Sequence, residues 1–179
     1  MGDEVQGAGS PRREELLEAA YAYVLRHGLA GLSLRPLARE VGSSPRVLLY
    51  LFGSKDGLVR ALLGRARSAE LALLDGLPEN DAAALLRTVW EWLAAPAHRD
   101  LLRLWVEGYG RSLVEPEGPW AGFAEATVRD WLAVLGRVLP GPAATEALAL
   151  LRGALLDLLA TGDAERAGSA VAAYVARLR

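Results

Sequence analysis

Two histidines, His27 and His98, stand far apart in the chain, and there is no cysteine. That inventory removes thiol redox chemistry, disulfide frameworks and Cys/His zinc sites for want of ligands. No nucleophile, base and orienting group are suggested together, no metal ligands cluster, and no glycine-rich phosphate loop appears. The sequence therefore predicts neither an enzyme, a metal site nor a cofactor. What remains is the chemistry of cations and aromatic rings. Residues 12–67 hold ten Arg or Lys against five Asp or Glu, whereas residues 68–179 hold ten against fifteen, so the net charge of −2 conceals a basic head on an acidic body. Such a head suits a phosphate backbone, although a surplus of this size does not identify a DNA-binding module unaided. All basic residues but one are Arg, in a composition rich in Ala, Leu and Gly, which fits a GC-rich genome better than selection for guanidinium chemistry. The exception is Lys55.

The elements that position these groups are helical. Strand signals are nearly absent, and apolar residues recur at three and four positions, so an all-α chain is predicted. A first helix opens with Ser10 as cap and Pro11 as its first residue, carries Leu16, Leu17, Ala20 and Val24 on one face, and stops at Gly28. A short second helix starts at Ser33, whose hydroxyl can accept a first-turn N–H, with Pro36 where its missing donor costs little. After Gly42 a third helix takes Ser44 as cap and Pro45 as first residue, turns Leu48, Leu51 and Phe52 inward, and ends near Gly53. A fourth starts at Ser54 and runs toward Asp75. Pro and Gly punctuation then marks helices over about 80–94, 98–114, 119–138, 144–160 and 163–178, nine in all, without an internal repeat. Residues 1–10 read as a polar, disordered tail. The longest charge-free run, 167–176, is too short to span a bilayer, and no leader pattern opens the chain; a soluble, cytoplasmic protein without a membrane partner is expected.

The second and third predicted helices, joined at Gly42, with Leu37, Val41 and Leu48 apolar and small Ala38 at their crossing, have the layout of a helix-turn-helix. In that layout the second helix presents its N-terminal residues to the major groove. An ordinary αα-hairpin has the same spacing, and spacing alone weighs the two equally. A longer pattern bears on the choice. Residues 13–63 resemble the DNA-binding domain of TetR-family regulators. The run Ser33-Leu34-Arg35-Pro36-Leu37-Ala38-Arg39-Glu40-Val41-Gly42-Ser43-Ser44-Pro45-Arg46, continued by Tyr50, Phe52, Ser54, Lys55 and Leu58, matches that family's motif. The family usually has Val at the position of Ser43, Tyr at Leu49 and often His at Leu51; here the Tyr comes one residue later, at Tyr50.

The resemblance implies an N-terminal three-helix DNA-binding domain over 11–57 and a ligand-binding and dimerisation domain over 58–179. By position it places Arg35, Ser44, Pro45, Arg46 and Val47 toward the groove, and Ser33, Tyr50 and Lys55 on the backbone. Arg46 is the base-reading candidate, because its planar fork can donate two bonds to guanine O6 and N7. Lys55 and nearby main-chain N–H groups would meet one phosphate. Arg39, Arg60 and Arg65 read first as solvated surface charges.

All five Trp lie beyond residue 75, and Trp120, Phe123, Ala124, Thr127, Val128, Trp131 and Leu135 form one stripe at helical spacing. Such a stripe packs a core before it binds a ligand. The resemblance implies, in addition, a small apolar or aromatic effector held among Trp90, Trp105, Tyr109, Trp120, Phe123 and Trp131. Glu107 and Arg111 either fix a polar end of that ligand or form an i,i+4 surface pair. The eighth helix is apolar almost all round, through Leu148, Leu150, Leu151, Leu155, Leu156, Leu158 and Leu159, and so needs cover on two sides. With Val171, Tyr174, Val175 and Leu178 of the ninth, it predicts a homodimer through the last two helices. The resulting expectation is a repressor released from a palindromic operator by its effector, the fourth helix acting as lever. The alternative keeps the fold and the DNA but drops the sensing, leaving control to a protein partner or to none.

Overall fold

The structure of the chain, a computed structural model, describes residues 10–74, 77–78 and 80–178. The tail expected over 1–10 lies, apart from Ser10, outside them. Among the described residues there are nine α-helices, one 3-10 turn and no strand: α1 (Pro11–His27), α2 (Leu34–Glu40), α3 (Pro45–Phe52), α4 (Lys55–Leu74), α5 (Ala82–Ala94), the turn Pro96–His98, α6 (Arg99–Val114), α7 (Phe123–Leu135), α8 (Gly141–Thr161) and α9 (Ala164–Val175). None of them is long and apolar enough to cross a membrane. The chain divides into two compact units, Met1–Ser68 with Arg103–Ala124 and Ala69–Leu102 with Glu125–Arg179. The first therefore takes in residues 58–68 and 103–124 beside the 11–57 expected for a DNA-binding domain.

In the first unit, local chemistry sets the helix ends. Ser10 Oγ accepts from Arg13 N at 3.3 Å, and Pro11 follows it where a missing donor is harmless. α1 buries Leu16, Ala20, Tyr21 and Val24, whereas Leu17, expected on that face, is half-buried. The stripe widens to take in Tyr21, one turn beyond Leu17, and the Arg65 guanidinium lies over the Tyr21 ring, 4.8 Å from its centroid. Burial pushes the Tyr21 phenol above its ordinary value; the nearby Arg65 charge opposes that shift and Glu18 adds to it. α2 is not capped as predicted: Ser33 makes no side-chain cap bond. An N-cap hydroxyl usually reaches the N–H two or three residues on, and Pro36, at the third position, has none. On α3, Leu48 and Phe52 are buried and Leu51 only half so. α4 buries Leu58, Val59, Leu62, Leu63 and Ala66.

The second part of α6 belongs to this unit. A Cβ added at Gly108 would come within 2.8 Å of Leu63 Cδ2 and 3.2 Å of Phe123 Cε1, so α6 rests directly on α4 and the start of α7. Buried Ser112 accepts from Ala124 N at 3.2 Å, fixing that start.

In the second unit α5, α8 and α9 pack against one another. Leu85, Leu86, Val89 and Leu93 of α5 meet a core shared with Leu148, Leu151, Leu155 and Leu158 of α8 and Val171 and Val175 of α9. The close approach is possible because α9 offers Gly168 to Trp90: a Cβ there would stand 2.9 Å from the indole Nε1. Two predicted helix starts move. α7 begins at Phe123, not 119, because Gly122 takes φ +73 and the bonds Ala121 N to Gly118 O and Phe123 N to Trp120 O are three-residue turns. Trp120 accordingly sits in a turn ahead of its stripe, though it is buried like Phe123, Thr127, Trp131 and Leu135. α8 begins three residues earlier than the predicted 144, since Pro142 in a first turn forfeits no hydrogen bond.

Candidate functional site

α2 and α3 are held as a rigid pair. Gly42 turns the chain at φ +62, which an L side chain resists, and Ser43 N donates to Ala38 O at 2.8 Å to close α2. Leu37, Ala38 and Leu48 are almost wholly buried. Arg13 of α1 stacks on Phe52 at 5.0 Å and pins the far end of α3. Ser44 Oγ accepts from Val47 N at 3.3 Å, so its hydroxyl caps α3 and keeps its own proton free to donate. Ser54 does the same for α4, accepting from Gly57 N at 3.0 Å, which leaves Lys55 at the first helical position.

Of the residues expected to meet DNA, Ser33, Arg35, Ser44, Arg46, Val47, Tyr50 and Lys55 are exposed, and Pro45 is half-buried. All lie in the first unit, on α2, α3 and the start of α4 or on their caps. Arg35, Arg46 and Lys55 enter none of the ion pairs among the described residues. Other cations nearby are committed: Arg12 to Glu15 at 2.8 Å, Arg26 to Glu40 at 3.2 Å, and Arg65 to Glu18. The Arg65 hydrogen bond to Glu18 raises its guanidinium above the ordinary value, and the group is further held over Tyr21. Arg39, read as a solvated surface charge, is exposed and outside the ion pairs of the described residues, and Leu49, not among the expected contacts, is exposed on α3. The signal for Leu49 was present in its spacing, three residues beyond Arg46 on the same helix.

The aromatic candidates divide between the units. Trp105, Tyr109, Trp120 and Phe123 fall in the first, Trp90 and Trp131 in the second. In the first, the Trp105 and Tyr109 rings lie 5.0 Å apart and tilted, and Arg111 stands 5.8 Å from the centroid of Trp120. Trp105 is buried and its indole N–H has no acceptor among the described residues. In the second unit, Trp131 donates its indole N–H to Glu70. Glu107 and Arg111 are not paired with each other. Glu107 Oε2 accepts the Leu29 N–H at 2.8 Å, across the turn that ends α1, while its Oε1 is buried without a partner, and Arg111 is bound to Glu115. The i,i+4 reading failed because each side chain found a nearer partner, one of them distant in sequence. Among the described residues no group of three His, Asp or Glu is placed to hold a metal ion.

Residues 16–62 match the family described as bacterial regulatory proteins, tetR family. The HTH-type transcriptional repressor AcnR of Corynebacterium diphtheriae is 32% identical over 93 residues, covering 52% of this chain and 46% of that protein. The chain spans about half the length of the curated relatives it matches. The protein SCO7518 of Streptomyces coelicolor A3(2) superposes with a TM-score of 0.78 at 21% identity, over 94% of this chain and 98% of that one. The multidrug binding protein EbrR, solved in complex with proflavin, superposes with a TM-score of 0.68 at 29% identity, over 94% of this chain and 99% of its own.

Proposed function

We propose, on the premise that this chain belongs to the tetR family of bacterial regulatory proteins, that it is a DNA-binding transcriptional regulator, a repressor released from a palindromic operator by a small aromatic effector. The observation that carries the DNA reading is the set of exposed cations Arg35, Arg46 and Lys55, outside the ion pairs of the described residues, around an α3 whose outer face is open. Residues 11–57 form the DNA-binding domain, in which Arg46 reads a guanine, Arg35, Ser44, Pro45 and Val47 line the groove, and Ser33, Tyr50 and Lys55 hold phosphates. Selection of duplexes from a random pool, then titration of the winner at two salt concentrations, tests this. Arg46→Ala should weaken binding about 5- to 150-fold and relax one base position, a loss of ~1–3 kcal/mol. Binding that is sequence-blind and falls only with salt would overturn the operator reading.

Residues 58–179 form the sensing and dimerisation domain. Support for an aromatic effector comes from the buried, unpartnered Trp105 N–H beside Tyr109 and from the likeness to a multidrug binding protein seen with proflavin. Proflavin is accordingly the first probe: saturable quenching of Trp emission, together with loss of operator affinity, is expected. By linkage, operator DNA should weaken proflavin binding by the same factor as proflavin weakens operator binding. The reading without sensing draws on a different observation, the dense burial of Trp120, Phe123 and Trp131 and the Trp131 bond to Glu70. Operator binding indifferent to every aromatic probe would favour it. Two chains are needed to read a palindrome, and two-fold symmetry sets their recognition helices about one DNA turn apart, ~34–36 Å. The outer face of α8, where Ala149, Gly153, Leu156 and Ala160 are exposed, supplies the dimer surface together with α9.

A further inference from the structure

Six large apolar side chains are exposed among the described residues, and three of them, Val47 at 39%, Leu49 at 40% and Tyr50 at 84%, occur on the eight-residue helix α3. An isolated exposed apolar residue needs no explanation, but three on one short helix need a partner. At about 100° per residue, Arg46 and Tyr50 share a line, with Leu49 on one side and Val47 on the other, opposite buried Leu48 and Phe52. The sequence of α3, Pro-Arg-Val-Leu-Leu-Tyr-Leu-Phe, contains no carboxylate, amide or aliphatic hydroxyl. Its hydrogen-bonding capacity toward a base edge is thus one guanidinium and one phenol. Everything else it presents is hydrocarbon.

The floor of the major groove offers one apolar group, the C5-methyl of thymine. We infer that α3 reads its half-site largely through thymine methyl groups seated against Val47 and Leu49, on either side of the single guanine contact made by Arg46. This rests on the operator-binding reading above and deepens it. Duplex DNA rather than a protein is the occupant because exposed Arg35, Arg39 and Lys55, on the elements flanking α3, all stand outside the ion pairs of the described residues, and suit a polyanion. Leu49 is a specificity-determining residue on this view.

The test alters the DNA before the protein. In the selected operator each thymine is replaced in turn by 2′-deoxyuridine, which removes the methyl and leaves every hydrogen bond in place. One or two positions per half-site should lose about three- to tenfold in affinity, the scale of one buried methyl contacting a branched side chain. Val47→Ala and Leu49→Ala, both at exposed positions that leave the fold intact, should lose a similar factor and become indifferent to uridine at the matching position. If the operator is bound specifically but no uridine changes affinity by more than about twofold, the methyl reading is wrong and the regulator reading stands. The methyl reading fails equally if the uridine penalties persist in both variants. If both variants bind the operator unchanged, the patch faces some partner other than DNA. If selection returns no sequence preference, the operator reading itself fails, and this inference with it.

Discussion

At the scale of single residues, the sharpest constraints are contacts that leave no room. Gly57, in the first turn of α4, lies so close to the end of α3 that a Cβ would stand 2.0 Å from Phe52 O, a backbone atom that cannot swing aside. Gly57→Ala should therefore cost about 1–3 kcal/mol, read as a fall in the thermal midpoint, and should weaken operator binding as well, because relieving the clash moves α3 against α4. Glu107 makes the converse point, a side chain whose partner matters more than its charge. Its Oε2 accepts the Leu29 N–H, and Gly28 beside it has room for no more than that carboxylate: a Cβ there would be 3.1 Å from the same oxygen. Glu107→Gln keeps an acceptor and should be nearly neutral, whereas Glu107→Ala leaves the buried N–H orphaned and should destabilise by about 1–3 kcal/mol in denaturant unfolding. Equal losses in the two variants would show that charge, not the hydrogen bond, is what the turn requires. Neither contact was legible in the sequence, since Gly57 looks like an ordinary helix glycine and Glu107 is 78 positions from its partner.

At the scale of elements, the caps read at Ser10 and Ser44 each accept from an N–H three residues on, a distance fixed by helix geometry, and the structure adds the same bond at Ser54, Asp81 and Asp163, not read as caps from the sequence. Where the local rule met a residue that could not comply, it failed, as at Ser33 ahead of Pro36. The junction of α8 and α9 shows a device beyond capping. Arg166 donates to both oxygens of Asp157, at 2.6 and 2.7 Å, and also reaches the Asp163 cap at 3.3 Å. The Arg166 hydrogen bond holds the Asp157 carboxyl below its ordinary value of 3.8, with the guanidinium charge adding to the effect. The sign follows from linkage: a carboxyl depressed in the folded state contributes stability above its unfolded value, and loses it as pH falls through the folded one. The Asp157 carboxyl resonance should therefore titrate below pH 3.8 in the native protein and return to the ordinary range in Arg166→Ala. Both groups face solvent, so the effect on global stability should be small and should shrink further in salt.

At the scale of the whole molecule, one chain leaves a surface open. α8 buries Leu148, Leu151, Leu155 and Leu158 in its own unit and still exposes Leu156, at 50%, in line with Ala149, Gly153 and Ala160. Small residues in such a row let a second helix approach closely, and one leucine supplies the apolar anchor. Sedimentation or light scattering at micromolar concentration should give a dimer, and Leu156→Glu, which places a charge at the centre of that face, should give a folded monomer with its helicity unchanged. That monomer should bind a half-site weakly and the full palindrome no better, because the second recognition helix is lost. A wild-type chain that runs as a monomer would remove the basis for a palindromic operator.

The all-α class, the nine helices of the described residues and most of their ends were determined by the sequence itself. Those features depend on spacings of three and four residues and on Ser, Asp, Pro and Gly acting on their immediate neighbours. The tertiary structure alone decided what depends on distant partners. Arg65 covers Tyr21 from 44 positions away, Glu107 turns to Leu29 rather than to Arg111, and Trp131 finds Glu70 across 61 positions. It also decided which cations of the described residues are spent in ion pairs and which stand outside them, a distinction invisible in a count of charges. The physical reason is common to all of these: a side chain settles on the best partner within a few ångströms, and only folding determines which distant residues come within that reach.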